Sequence, residues 1–167
     1  MSDFKGWDNA FTATDPYGTV EGSPSYAGAL SFMRRKYSRD LTGVDVAVTG
    51  IPLDVATTNR PGARFGPRAV RAASPGISWA RPWPWEFDPF DRLAVIDYGD
   101  CEFDFGQPET VVPYIEKHIA GILESGAASL VIGGDHFVSY PVLKAYAAHH
   151  GPLSLVHFDA HSDTWGE

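Results

Sequence analysis

Four short apolar runs alternate with stretches of helical spacing along this 167-residue chain, and no other feature limits its fold so much. Residues 44–53, 93–98, 129–132 and 153–158 are apolar, mostly β-branched, and bounded by Gly, Pro or Asp, which predicts buried strands. Between them lie helical signals. Pro67 stands where a helix would begin and predicts a short helix over 68–73. Val111, Ile115, Ile119, Ile122 and Leu123 recur at helical spacing, so a helix should run from Pro108 or Pro113 to Ser125, with Lys117 and His118 solvated and Gly126 as its stop. A third helix is predicted over 138–149, with Pro141 tolerated in its first turn and His149 and His150 capping the carbonyl end. Strands alternating with helices through right-handed crossovers give an α/β fold, a mostly parallel sheet covered on both faces as an α/β/α sandwich.

That architecture decides where chemistry can sit, because ligands of open parallel sheets bind beyond the carboxyl ends of the strands. Asp54, Gly99-Asp100, Gly133-Gly134-Asp135-His136 and the Asp159, His161, Asp163 series all fall at those ends. An Asp-x-His-x-Asp series alone is usually a solvated turn; a second cluster at a neighbouring strand end makes it a candidate site. If the strands carrying them are neighbours, His136 reaches Asp159, His161 and Asp163. Carboxylates and imidazoles without a thiolate suit a hard divalent ion such as manganese better than structural zinc. His157, one strand period before Asp159, is expected to pack or hydrogen-bond beneath the ions rather than ligate. Arg64, Arg68 and Arg71 are expected to pair with neighbouring acids, and Asp54 and Asp100 to cap turns. The segment 77–90 is too broken by Pro for a regular element. Its Trp79, Trp83 and Trp85 call for cover, by the core, the N-terminal arm or another subunit.

Composition narrows the function classes. With 44% hydrophobic residues the chain can build one packed core, so 1–167 reads as a single α/β domain in which 1–43 is an arm rather than a unit of its own. Acidic side chains outnumber basic ones by 21 to 13, a formal charge of −8, which disfavours nucleic acid as a partner. No run is long enough for a bilayer, so no membrane partner is expected. The single cysteine, Cys101, excludes an intramolecular disulfide and a thiolate zinc site; a cytoplasmic location is expected.

The segments Val131-Ile132-Gly133-Gly134-Asp135-His136-Phe137-Val138 and Val156-His157-Phe158-Asp159-Ala160-His161-Ser162-Asp163-Thr164 resemble the two leading metal motifs of the ureohydrolases, the arginase and agmatinase family. Pro61-Gly62-Ala63-Arg64-Phe65-Gly66-Pro67-Arg68-Ala69-Val70-Arg71 is similar to that family's N-terminal signature, and the likeness spans about 44–165. Phe137 after His136 and Thr164-Trp165 after Asp163 look like the agmatinase branch. The resemblance implies the arginase/deacetylase-like fold and a hydrolase with two Mn²⁺ ions that cleaves a small cationic guanidino substrate to urea and an amine. The favoured reaction is agmatine to putrescine and urea; guanidinobutyrate or another guanidino acid is the alternative. His136, Asp159 and Asp163 would hold one ion, Asp159 and His161 the other, and Asp163 would also carry a proton to the leaving amine. A homo-oligomer, trimer or hexamer, is implied as well.

The same resemblance places the family's Asp-x-Asp motif and its catalytic histidine beyond residue 167, so the chain is expected to be the N-terminal half of a ureohydrolase domain. It would then lack the second bridging carboxylate, bind one ion weakly, and could be inactive or non-catalytic as it stands. A mononuclear zinc deacetylase of the same architecture is the remaining enzymatic alternative.

Overall fold

A parallel strand can be central only if both its faces are apolar, and one of the predicted strands meets that condition throughout. In the structure, a computed structural model that describes residues 26–77 and 82–163, β1 (Val46–Ile51) is buried at every residue but its first. It lies between β2 (Val95–Asp100) and β3 (Ala128–Gly133), parallel to both, in the order β2-β1-β3. Val46 stands opposite Val95 on one side and Ala128 on the other; an irregularity at Val48/Thr49 then brings Thr49 opposite Gly99.

Successive side chains of β1 point to opposite faces, and the helices divide accordingly. Ala47 and Ile51 join the buried Ile115, Ile119, Ile122 and Leu123 of α2 (Val111–Glu124), and Ile51 also meets Val138 and Ala145 at α3 (Ser139–His150). Gly50 faces α1 (Gly66–Ala73): a methyl group there would lie 2.7 Å from the Pro67 side chain. The sheet is thus sandwiched between α1 and the α2–α3 pair, the α/β/α arrangement its alternation predicts. Each fully buried Ile or Leu stabilises the packing by about 1.5–3 kcal/mol, so the five buried residues of α2 fix that helix more firmly than intrinsic propensity could.

On the α1 side a charged group occupies the core. Asp97 is fully buried and its carboxylate accepts four hydrogen bonds, from Arg71 Nε (2.7 Å) and the Phe32 amide (2.7 Å) on one oxygen and from Arg71 Nη2 (2.9 Å) and the Gly99 amide (2.9 Å) on the other. Arg71 Nη1 also donates to Asp100 at 2.6 Å. Burial works against the charge on Arg71, but Asp97 and Asp100 outweigh it and raise its pKa. This knot ties α1, β2 and the arm together. Tyr37 bridges to Asp97, whose backbone also bonds to Lys36 and Ser38, so residues 36–38 run along the outer edge of β2. The pairing expected of Arg64 and Arg71 with acids is what they do; Arg68 pairs with no acid among the described residues.

Two expectations fail. Residues 153–158 form no ladder with the described residues and are exposed, Val156 at 79% and Phe158 at 95%. Apolar sequence supplies strand propensity, but a strand exists only where a neighbour offers its hydrogen bonds, and none does so here. His118 is likewise not solvated. It lies beside the buried stripe of α2, three residues after Ile115, and its Nε2 is 2.7 Å from Thr49 Oγ1. Because that hydroxyl donates its one proton to the Gly99 carbonyl (2.9 Å), the ring must donate to it, which fixes the Nε2–H tautomer. Burial, and secondarily Arg39, push the His118 pKa down to about 4. In the Trp-rich loop, Trp79 lies outside the described residues; Trp85 stacks on Phe87 at 5.4 Å, while Trp83 is 93% exposed. The described residues therefore leave Trp83 without the expected cover.

Candidate metal centre

The end of β3 delivers His136, and the segment 153–163 that follows α3, which forms no ladder with the described residues, delivers the other groups. β3 stops at Gly133, and Gly134-Asp135 carry the chain across the end of β1 before His136 opens a single turn of 3₁₀ helix that leads into α3. Asp135 caps that turn, its Oδ1 accepting from the Phe137 amide at 3.2 Å. After α3 the chain reverses at Gly151, in the left-handed region with φ 84°, and returns past His136 along 153–163.

His136 and His157 stack with ring centroids 5.4 Å apart and planes 4° from parallel. Asp159 Oδ2 lies 3.5 Å from His157 Nε2, and one donor atom from each of His136, His157 and Asp159 falls within 4.8 Å of the others. Asp163, also left-handed at φ 51°, sets Oδ2 2.6 Å from His136 Nε2. The His161 amide donates to Asp159 Oδ1 at 2.9 Å, whereas its ring Nδ1 stands 3.7 Å from the same oxygen with the side chain 74% exposed. The bond from the His161 amide, followed by the positive potential of His157, His136 and His161, holds the Asp159 carboxyl below its ordinary range. It is therefore anionic at neutral pH, as a ligand must be.

The structure thus gathers His136, Asp159 and Asp163 at one place and carries the His161 backbone to it, with the His161 ring turned outward. His157, expected to pack or hydrogen-bond beneath the ions, stands within the donor cluster beside Asp159. Its spacing held the signal: in extended backbone residues two apart share a face, so His157 had to point the same way as Asp159. Two imidazoles and an ionised carboxylate with no thiolate nearby are a donor set that fits a divalent cation of the manganese type. Beside them opens a cavity of about 560 Å³ lined by His136, Phe137, Tyr140, Leu155, His157 and Asp163 among others. Cys101 takes no part; it is buried, and burial pushes its thiol up to about 12.

The loop after β1 closes the other side. Asp54 is buried, with its carboxylate accepting from Arg64 Nε (2.7 Å) and from the Gly62 amide (2.7 Å). The Arg64 bond is the main reason its pKa falls to about 2. Asp54 therefore braces the 54–64 loop and has no reactive partner. Asp100 is committed to Arg71.

Comparison with known proteins bears on the fold and the family. A model of the arginase family matches residues 44–167. An agmatinase of Chromobacterium violaceum is 58% identical over 160 residues, which cover 95% of this chain and 49% of that protein. One from Proteus mirabilis is 42% identical over 145 residues, 83% of this chain and 46% of that protein. The crystal structure of a hypothetical agmatinase from Burkholderia thailandensis superposes with a TM-score of 0.89 at 56% identity, covering 96% of this chain and 50% of that one. A proclavaminate amidino hydrolase from Streptomyces clavuligerus does so with a TM-score of 0.75 at 39% identity, covering 85% and 47%. The chain spans about half the length of the curated relatives it matches. The parallel sheet and a family model matching residues 44–167 agree, and the chain belongs to the arginase family.

Proposed function

We propose that this chain carries part of the active site of a manganese-dependent amidinohydrolase whose substrate is agmatine, released as putrescine and urea. The observation that carries the reading is the 58% identity to an agmatinase over 95% of the chain, beside a family match over 44–167 that takes in both donor segments. His136, Asp159 and Asp163 would hold one Mn²⁺, and Asp159 with His161 the second. His157, inside the same cluster, is positioned to hydrogen-bond Asp159. Bound divalent ions supply a water acidic enough to attack a guanidinium carbon, a poor electrophile because its charge is delocalised.

The protein's own groups do the rest. Asp163 presents a carboxylate towards a cationic guanidino group entering the cavity. Leu155, Phe137 and Tyr140 form the apolar part of its lining. Asp163 can hold a proton at Oδ2 and pass it to the departing amine, since it faces both His136 and the cavity. Hydrolysis of guanidinobutyrate or another guanidino acid in the same site is the second reading, and it draws on the likeness to a proclavaminate amidino hydrolase.

The partners in this reading are a small cationic substrate and further copies of the chain, in the cytoplasm. Among the described residues no helix is long and apolar enough to cross a membrane. The test is urea release by the polypeptide as its gene encodes it, with agmatine and guanidinobutyrate as rival substrates. Release from agmatine that stops on chelation and returns with Mn²⁺ supports the proposal; release indifferent to chelation overturns it.

A further inference from the structure

Among the described residues the ring of His136 partners other groups of the site, stacking on His157 and pairing with Asp163. Its side chain is 54% exposed and its nearest side-chain partner, Asp163, is 46% exposed, so neither can hold the imidazole firmly against solvent. The residue before it is the opposite. Asp135 is 7% exposed, and four hydrogen bonds converge on it, one of them from the Val138 amide to its carbonyl at 3.3 Å. Its amide donates to the Leu53 carbonyl at 2.8 Å, the Ala56 amide donates to its Oδ2 at 2.7 Å, and the Phe137 amide donates to its Oδ1 at 3.2 Å. Two of those bonds cross to the loop that leaves β1. Gly134 makes the crossing possible, for a Cβ there would stand 1.7 Å from the Leu53 carbonyl oxygen.

From this geometry we propose that Asp135 is a positioning residue for His136, acting through its bond to the Ala56 amide. The inference rests on His136 being a metal ligand. The chemistry accounts for the residue type: two N–H groups approach the two oxygens, and a carboxylate is the one side chain of this length that accepts with both. Asparagine would turn an NH₂ group towards one of the amides, and serine could cap the turn but not span to Ala56. The Ala56 loop is itself braced by Asp54 and Arg64, so the strand end of β3 is fixed against a rigid neighbour and His136 inherits that rigidity.

The experiment compares the unsubstituted chain with Asp135→Ser, Ala56→Pro and His136→Ala. Amide hydrogen exchange is measured on the metal-free protein, and line broadening of the His136 and Asp159 resonances is followed as Mn²⁺ is added. Asp135→Ser keeps the cap on Phe137 and loses the link to Ala56. Ala56→Pro removes the donor and leaves Asp135 in place, which keeps the test alive if the first variant does not fold. Expected are faster exchange at Ala56 in Asp135→Ser, and in both variants a Mn²⁺ affinity at His136 lower by about 10- to 100-fold at a nearly unchanged melting temperature. Affinity unchanged in Asp135→Ser and Ala56→Pro, with His136→Ala weakening the Mn²⁺ affinity read at Asp159, overturns the positioning role alone. A Mn²⁺ affinity at Asp159 that His136→Ala leaves unchanged, or broadening that never appears in the unsubstituted chain, overturns the ligand role and the positioning role together.

Discussion

Asp97→Ala tests the buried charge knot on the α1 face. The substitution removes the acceptor of both fork bonds from Arg71, whose side chain is only 8% exposed, and leaves it Asp100, a partner 42% exposed. Breaking one partner out of a buried ion pair costs about 3–5 kcal/mol because the remaining charge stays buried. The amides of Phe32 and Gly99 lose their acceptor too, adding about 1 kcal/mol each if water reaches them only in part. The sum, about 5–7 kcal/mol, is comparable with the whole stability of many domains of this size, roughly 5–15 kcal/mol.

Urea denaturation followed by circular dichroism should therefore show Asp97→Ala largely unfolded in buffer. The pair Arg71→Met with Asp97→Leu separates the causes: it removes both charges and refills the space, so only the orphaned amides remain, about 2 kcal/mol. Stability restored in the double variant, at an unchanged denaturant slope, identifies the unpaired guanidinium as the fault. A single variant costing below about 1 kcal/mol, or a double variant no better than the single, would falsify this account of the knot.

Buried neutral His118 makes stability pH-dependent. Its pKa of about 4 in the fold lies below the 6.5 of the unfolded chain, so the unfolded state takes up the proton first and stability falls between pH 6.5 and 4. Discounted for its partial exposure, the loss is about 1–2 kcal/mol, and His118→Gln, which can still donate to Thr49, should flatten that limb of a stability-versus-pH curve. Gly134→Ala should prevent the strand ends from closing, since the contact is with backbone; unfolding would appear as lost near-ultraviolet dichroism, and a native-like spectrum would contradict it. In Arg64→Ala the Asp54 carboxyl should titrate closer to the ordinary carboxylate range, read from its carbon resonance; a pKa left at about 2 would show that the Gly62 amide suffices. Chelation of metal should leave the β2-β1-β3 sheet intact, as its core contains none of the donor residues, and a melting point lowered by more than a few degrees would speak against that separation.

What the sequence determined by itself is whatever depends on neighbours along the chain. The spacing of Ile115, Ile119 and Ile122 placed α2, Pro67 marked the first turn of α1, and the apolar runs at 44–53, 93–98 and 129–132 became strands because helices of the right length separate them. The donors at 136 and 159–163 were legible from the Gly-Gly-Asp-His and Asp-x-His-x-Asp patterns themselves, the first at the end of β3 and the second after an apolar run that pairs with no described strand. Tertiary structure decided everything that needs a partner distant in sequence. It put β1 in the centre, made Asp97 the acceptor for groups 65 and 26 residues away, and turned His118 inward to Thr49 across 69 residues. Among the described residues it gave 153–158 no ladder, and it brought His157 against His136 and Asp135 against Ala56. The physical reason is common to these cases: periodicity and capping are set within one turn of chain, whereas a buried carboxylate, a neutral imidazole or a paired strand is stable only when a particular distant group arrives to complete its hydrogen bonds.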